Sequence, residues 1–333
     1  MKQKIKVVIV NILTCLFLVF ILETLIYAGL EKPSLIPGSA EWIFKDYYRE
    51  RDRAIIQVTD CAKYDSQLFY LLKPGQCVFT NREFDTHYDI NSAGLRDDEN
   101  SLNYPRMVTL GDSYTMGWGV QQDETFPQLL EREMGWRVLN AGVSSYGTAR
   151  EFILLKRIRL DSAQVIIVQY HSNDFEENQE FLKRGNSLPI RNKSSYDSLR
   201  AAIDKRRGYF PLKHLLGASR AIGKKMIGQA RQPLTQTSEA QAFLDVVSRA
   251  NVDPAIKILT FKVDEYKGIN NRFASQVDSL LRTPAYQALN LETVKLEGSI
   301  SETDYFTLDE HMNRHGHAKI AAKIRSRILS VLP

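Results

Sequence analysis

From residue 106 onward, short uninterrupted apolar runs alternate with amphipathic stretches. Met107–Leu110, 137–140 and Val165–Tyr170 read as strands buried on both faces. Residues 125–134 and 148–160 carry apolar positions at helical spacing and come after the first two strands. A fourth strand is expected at 256–263, then a helix over 272–281, a short strand over 286–291 and a last helix over 316–331. This alternation predicts an α/β fold: a doubly wound, mostly parallel sheet flanked by helices. Residues 175–254 lack strand signals and read as a helical insertion at one end of the sheet.

Ahead of the α/β pattern the chain is less regular. Residues 31–64 read as a linker with Pro33 and Pro37, followed by a helix over 40–53. Residues 65–100 hold short alternating stretches broken by turn signals, the mark of a cap packed on the main domain. The expected organisation is therefore 1–30, then 31–100 as linker and cap, then 101–333 as the α/β domain with its insertion.

The first 30 residues have a different character. Residues 5–30 are mostly apolar, and beyond Lys6 the single charge inside them is Glu23. About 20 to 24 helical residues span a hydrocarbon core of about 30 Å. Lys2, Lys4 and Lys6 precede the run, and no Lys or Arg comes after it before Lys32. The positive-inside rule then places the N-terminus in the cytoplasm and the remainder outside. The apolar run is long for a cleaved signal peptide, and Tyr27-Ala28-Gly29 is a weak cleavage site. A single-pass anchor in the cytoplasmic (inner) membrane is expected, with the main domain periplasmic or extracellular. An oxidising compartment permits a Cys61–Cys77 disulfide, although two buried thiols fit the sequence as well.

Composition excludes several classes. The chain has 333 residues, 44% hydrophobic and 25% charged, with 3 Cys. That suits a globular fold with a sizeable core and excludes disulfide scaffolds and multi-cysteine zinc modules. The formal net charge is +5, but residues 183–231 alone hold 13 Lys/Arg against Asp197 and Asp204. The basicity is local, so nucleic acid is not an expected partner; an anionic glycan or lipid headgroups suit it better.

In an open parallel sheet, reactive groups gather at the carboxyl ends of the strands. The first strand ends in Gly111-Asp112-Ser113-Tyr114-Thr115, the second in a turn over 140–147, the third in His171-Ser172-Asn173-Asp174. Near the C-terminus comes Asp309-Glu310-His311-Met312-Asn313, with Gly316-His317 after it. A serine hydroxyl needs an adjacent base, the base needs a carboxylate, and the developing oxyanion needs preorganised N–H donors. Ser113 suits the nucleophile, His311 the base and Asp309 the orienting acid. The Ser113 N–H and the Asn173 amide suit the oxyanion.

The ordered set GDSYT, NAGVSSYG, SND and DEHMNRHGH, with INSAGLRDDE upstream, resembles the SGNH/GDSL hydrolases, especially membrane-anchored bacterial members with an exported catalytic domain. The resemblance covers roughly residues 65–330 and implies a flavodoxin-like sheet. It implies Ser113 as nucleophile and first oxyanion donor, Asn173 as a further donor, and His311 with Asp309 as base and partner. It departs at Ser145, which stands where the family usually has glycine; a backbone N–H serves there, and serine keeps it. It also has Asp-x-His where many members have Asp-x-x-His.

Other residues have plainer roles. Asp112 and Asp174 read as loop-bracing carboxylates, and His317 as structural. His311 and His315 stand at ligand spacing for a helix, but Asn313 and Gly316 indicate a turn, so no metal is expected. His171 borders the site. His87 and His214 read as surface residues. Tyr114, Met116 and Trp118 are expected to pack against the insertion, with lining an acyl or sugar pocket as the alternative. The resulting expectation is an extracytoplasmic serine esterase without metal or organic cofactor. It would remove O-acyl groups, acetyl first, from an envelope or exported glycan. An O-acyltransferase on an exopolysaccharide would use the same residues and need envelope-biosynthesis partners; a non-catalytic envelope component would merely retain the fold.

Overall fold

A computed structural model describes residues 2–227, 238–264 and 271–332. In chain order the helices are α1 (Lys2–Glu31), α2 (Glu41–Tyr47), α3 (Ser113–Met116), α4 (Phe126–Met134), α5 (Thr148–Leu155) and α6 (Asp174–Lys183). They continue as α7 (Lys193–Arg207), α8 (Lys213–Ile227), α9 (Glu239–Arg249), α10 (Arg272–Leu280) and α11 (Arg314–Val331). The strands are β1 (Ala62–Asp65), β2 (Phe69–Leu72), β3 (Gly75–Asn81), β4 (Phe84–Ile90), β5 (Met107–Leu110), β6 (Val138–Asn140), β7 (Val165–Tyr170), β8 (Lys257–Lys262) and β9 (Leu291–Thr293).

The chain forms two compact units. The larger comprises residues 55–201, 233–306 and 310–333, and the smaller 1–54, 202–232 and 307–309. This division differs from the expected boundaries. Residues 31–54 and 202–232 group with the N-terminal helix, while the cap strands group with the sheet.

In the larger unit β6-β5-β7-β8-β9 form one fully parallel sheet. The chain starts at β5, steps to β6 on one side, then returns past β5 to β7 and continues outward. That is the flavodoxin-like order, and its reversal falls between β5 and β7. The strand sequence explains the burial: all six residues of β7, VIIVQY, are buried. Val165 and Ile167 join α4 and α11 in one core with Phe126, Ile320 and Ile324. On the other face Tyr170 stacks on Phe273 of α10 at 4.3 Å and meets Phe243 of α9 at 5.6 Å. The expected strand over 286–291 is shifted: the last strand is Leu291–Thr293, because 283–289 closes in turns through Tyr286 N–H to Thr283 O and Leu289 N–H to Tyr286 O.

The insertion is also smaller than expected. Helices α6 and α9 pack on each other and on α5, so they belong to the sheet's helical layer. The cap consists of two antiparallel hairpins, β1–β2 and β3–β4. Cys61 and Cys77 form a disulfide, with Cα atoms 5.6 Å apart, which resolves the open alternative at that pair.

In the smaller unit α1 is long and apolar enough to cross a membrane, and residues 5–22 expose their apolar side chains almost throughout. Glu23 is explained by its partners: its carboxylate accepts the N–H groups of His214 (3.1 Å) and Leu215 (2.7 Å) at the start of α8. A carboxylate there meets free N–H donors and the positive end of the helix dipole. His214 is correspondingly buried, against the surface position expected, and its Nδ1 lies 2.9 Å from the Tyr47 hydroxyl. The Tyr47 ring meets Gly217 with its edge, where a Cβ would come within 2.0 Å of the ring.

The Cys61–Cys77 bond spans 16 residues. Replacing both cysteines with alanine should lower unfolding free energy by about 3 kcal/mol. A thermal or urea melt of the full chain in detergent checks this.

Candidate active site

Strand β5 ends on Gly111, whose φ of +154° and crowded surroundings leave no room for a side chain. A Cβ there would lie 2.1 Å from Thr115 Oγ1 and 2.6 Å from Gln169 Oε1. Asp112 comes next and caps α3, accepting the Tyr114 N–H at 3.0 Å. This is the bracing role expected of it. Gln169 of β7 accepts the Asp112 N–H and the Thr115 hydroxyl, both at 3.1 Å. The turn carrying Ser113 is thereby fastened to the strand across the switch point.

Ser113 Oγ lies 2.7 Å from His311 Nε2, although the two are 198 residues apart. Both are mostly buried, Ser113 at 7% and His311 at 9% exposure. His311 is set from several sides. Its carbonyl accepts the Phe306 N–H at 3.0 Å, and a Tyr305–Met312 bridge closes the segment. Its ring stacks on Trp118 at 4.8 Å and tilts against Tyr114 at 4.9 Å. Asn313 then caps α11, accepting the His315 and Gly316 N–H groups, so His315 lies in the first turn of a helix that His311 precedes. Among the described residues no group of three or more His, Cys, Asp or Glu is placed to hold a metal.

Tyr114, Met116 and Trp118 are all buried. Trp118 packs on the β3–β4 hairpin, 4.7 Å from Phe79 and 6.5 Å from Phe84, rather than on the insertion. The Tyr114 hydroxyl donates to Glu310 O at 2.8 Å, and its ring stacks on His171 at 5.6 Å. His171 accepts the Asn173 N–H at its Nδ1, and its Nε2 lies 3.7 Å from Asp264.

The three expected oxyanion donors come after β5, β6 and β7, neighbours in the sheet. Ser113 opens α3, so its N–H has no carbonyl one turn back. Ser145 is exposed and sits at φ +60°, the left-handed region in which glycine is at ease. Its Oγ accepts from Gln57 Nε2 at 3.2 Å. Asn173 is exposed and heads α6. Gly142 has a larger role than the plain turn its position suggests. A Cβ on it would come within 2.4 Å of the Met116 N and 2.7 Å of the Thr115 carbonyl carbon, so only glycine lets the β6 loop rest on α3.

Asp309 groups with the smaller unit, where it is fully buried and accepts the Tyr48 hydroxyl at 2.8 Å. Leu308 beside it joins Leu30, Tyr47 and Tyr48 in a small apolar core.

Two residues of the 90–99 stretch have roles that sequence reading missed. Arg96 is 1% exposed. Its guanidinium donates to the carbonyls of Met116 (3.2 Å), Gly117 and Val120 (2.7 Å) and to Gln122 Oε1 (3.1 Å), and it covers the Tyr88 ring at 3.7 Å. Asp97, equally buried, accepts the Asn140 N–H at 2.8 Å and the Gln128 amide at 2.7 Å. One residue thus fixes the loop after Ser113, and its neighbour fixes the end of β6. The sequence carries no signal for this beyond an adjacent Arg-Asp pair after Gly94.

Burial pushes the Asp97 carboxyl up to about 7. Glu151, behind the site and without a hydrogen-bond partner on either oxygen among the described residues, is pushed well up by burial and then by Asp174 and Asp112. Asp174, bonded to the Thr148 hydroxyl at 2.8 Å, is raised in the same way. Burial lowers His317 to about 3; it stays neutral and accepts the Phe126 N–H at 3.2 Å.

No protein-family model and no curated protein matches the chain. Among solved structures, a member of the lipolytic protein G-D-S-L family from Veillonella parvula aligns with 68% of this chain and 97% of its own at 12% identity, TM-score 0.36. A family 3 carbohydrate esterase from Clostridium thermocellum aligns with 68% and 96% at 14% identity, TM-score 0.38. A family two carbohydrate esterase from the same organism, in complex with cellohexaose, aligns with 68% and 64% at 13% identity, TM-score 0.40. The chemistry open to the site rests on its own geometry.

Arg96→Met should lower stability by about 3 kcal/mol or more, since it orphans the buried Met116 and Val120 carbonyls, each worth about 1–3 kcal/mol, and strips a second partner from Gly117 O. Chemical denaturation reads this directly. For Asp97 the folded pKa lies above the unfolded value, so the folded state binds the extra proton between pH 4 and 7. Its contribution to stability is present at low pH and lost as pH rises through about 7. The margin of wild type over Asp97→Asn should shrink from pH 4 to 7 and level off above it; a margin that grows with pH contradicts the assignment.

Proposed function

We propose that this chain is a serine esterase of the SGNH type that works through an acyl-Ser113 intermediate. The observation that carries the reading is the 2.7 Å contact between Ser113 Oγ and His311 Nε2 in a mostly buried site at the switch point of the sheet. As Ser113 Oγ attacks the ester carbonyl, its proton passes to His311 Nε2. The N–H groups of Ser113 and Ser145 and the Asn173 amide are the proposed donors to the oxyanion. Collapse breaks the bond to the alcohol oxygen, which takes the proton from His311. Water then attacks the acyl-serine, again with His311 as base, and releases the carboxylic acid and free Ser113. Asp309, two residues before His311 in the chain, is the proposed carboxylate that holds the imidazole in the tautomer with the proton on Nδ1.

The substrate class is an O-acylated, first of all O-acetylated, envelope or exported glycan. Two features support it. The lysines at the start of α1 favour export of the chain beyond that helix, and the 183–231 segment concentrates positive charge suited to an anionic polymer. Of those cations Arg231 lies outside the described residues. Several others are paired, Arg200 with Asp60 and Lys224 with Glu50, so the glycan would meet the remaining ones.

A fluorophosphonate reports an activated serine without knowledge of the substrate. The full chain in detergent should take a single adduct, on the peptide carrying Ser113, and Ser113→Ala and His311→Ala should take none. Asp309→Asn should slow p-nitrophenyl acetate turnover by about 10⁴-fold, the cost of a wrong imidazole tautomer. A well-folded wild type that takes no adduct refutes the serine mechanism.

A further inference from the structure

Helix α8 has two faces. Lys213, His214, Gly217, Ala218 and Ala221 are buried within the smaller unit. The opposite face carries Leu212, just ahead of the helix, then Leu216, Ile222 and Met226, all exposed, Met226 by 82%. Ser219 and Gly223 fill the gaps of that stripe, so at 100° per residue it is apolar or small along its length. Tyr209, 75% exposed, and Phe210 precede it. A soluble helix places such a face inward; α8 turns it outward. Its charges stand at the flanks: Lys224 pairs with Glu50, Lys225 covers the Trp42 ring at 3.9 Å, and Arg220 is exposed. The helix sequence KHLLGASRAIGKKMI contains no acid.

The position of α8 is fixed by Glu23. That carboxylate binds the first N–H groups of α8, and it stands about one turn before the end of the exposed apolar surface of α1, which runs on through Leu25 and Tyr27. The start of α8 is therefore held near the level where the apolar surface of α1 ends. In a membrane that level is the interface, where aromatic side chains and cationic flanks are favoured.

We propose that residues 209–226 form a second membrane contact, with Tyr209, Phe210, Leu216 and Met226 entering the outer interface and Arg220 meeting lipid phosphate. This rests on the reading of α1 as a membrane span. The occupant of the apolar face is an anionic phospholipid surface, by its continuity with the apolar surface of α1 and by the lack of acids on the helix.

The test uses the full chain with Cys15→Ser in nanodiscs of phosphatidylglycerol and phosphatidylcholine, with nitroxide labels on Leu216→Cys or Met226→Cys. Leu16→Cys serves as the lipid reference and Tyr104→Cys, which is exposed in the other unit, as the water reference. Collision with oxygen relative to a water-soluble nickel chelate should be several-fold higher at 216 and 226 than at 104. Water-like values at both positions, with a lipid-like value at 16, overturn the second contact and leave the span standing. Labels shielded from both reagents indicate a protein partner or a second copy and also overturn it. A water-like value at 16 overturns the span and this contact together.

Discussion

A guanidinium sealed from water must find acceptors, and Arg96 finds them in the backbone just after Ser113. Its bonds to Met116, Gly117 and Val120 take up carbonyls at the end of the four-residue helix α3 and in the loop after it. Gly117, at φ +88°, turns the chain so that these carbonyls converge, and a Cβ there would lie 2.9 Å from the Arg96 guanidinium. Trp118 is carried by this loop, and the His311 ring stacks on Trp118. The geometry between Ser113 and His311 therefore rests on a charge that touches neither. Lysine is a poor substitute at such a position, because one ammonium cannot span three carbonyls and a glutamine in a plane.

The acids beneath the site result from the same burial. Glu177, Asp174 and Asn178 of α6 receive N–H or hydroxyl groups from Gly147, Thr148 and Ala149 at the start of α5. That arrangement ties the segment after Ser145 to the helix that Asn173 heads. Burial raises all three nearby carboxyls, Glu151, Asp174 and Glu177, with Arg150 opposing the shift at Glu177. Burial thus disfavours the charged form of each carboxyl, and the ion pair with Arg150 partly offsets that cost at Glu177.

The sequence exposes the sheet because a parallel sheet covered on both faces requires uninterrupted apolar strands, and MVTL and VIIVQY are such strands. It exposes Ser113 and His311 because each stands at a strand end or helix start where glycine, Asp112 or Asn313 sets the turn. It hides Arg96 because a charged residue in a polar stretch looks solvated; only the three-dimensional position of residues 116–120 shows otherwise. It hides the true extent of the insertion because α6 and α9 are amphipathic helices like any others, and their place in the sheet layer depends on packing with α5. Strand β9 is missed by its length: three residues leave no periodicity to read, and the apolar 286–289 region beside it is taken up by turns.

Glu23 and His214 show the same limit in the smaller unit. Along the chain, one is an intrusive charge in an apolar helix and the other an isolated histidine. In space they meet at the start of α8, with Tyr47 closing on the imidazole and Gly217 admitting the Tyr47 ring. Removing the carboxylate would leave the first N–H groups of α8 unpaired at the edge of an apolar surface, where water competes poorly. A charge at that height in an apolar helix is therefore tolerated because it has donors to satisfy. The same contact fixes which way the apolar stripe of α8 can face: with Gly217 and Ala218 turned inward toward the unit, Leu216 and Met226 have only the outside left.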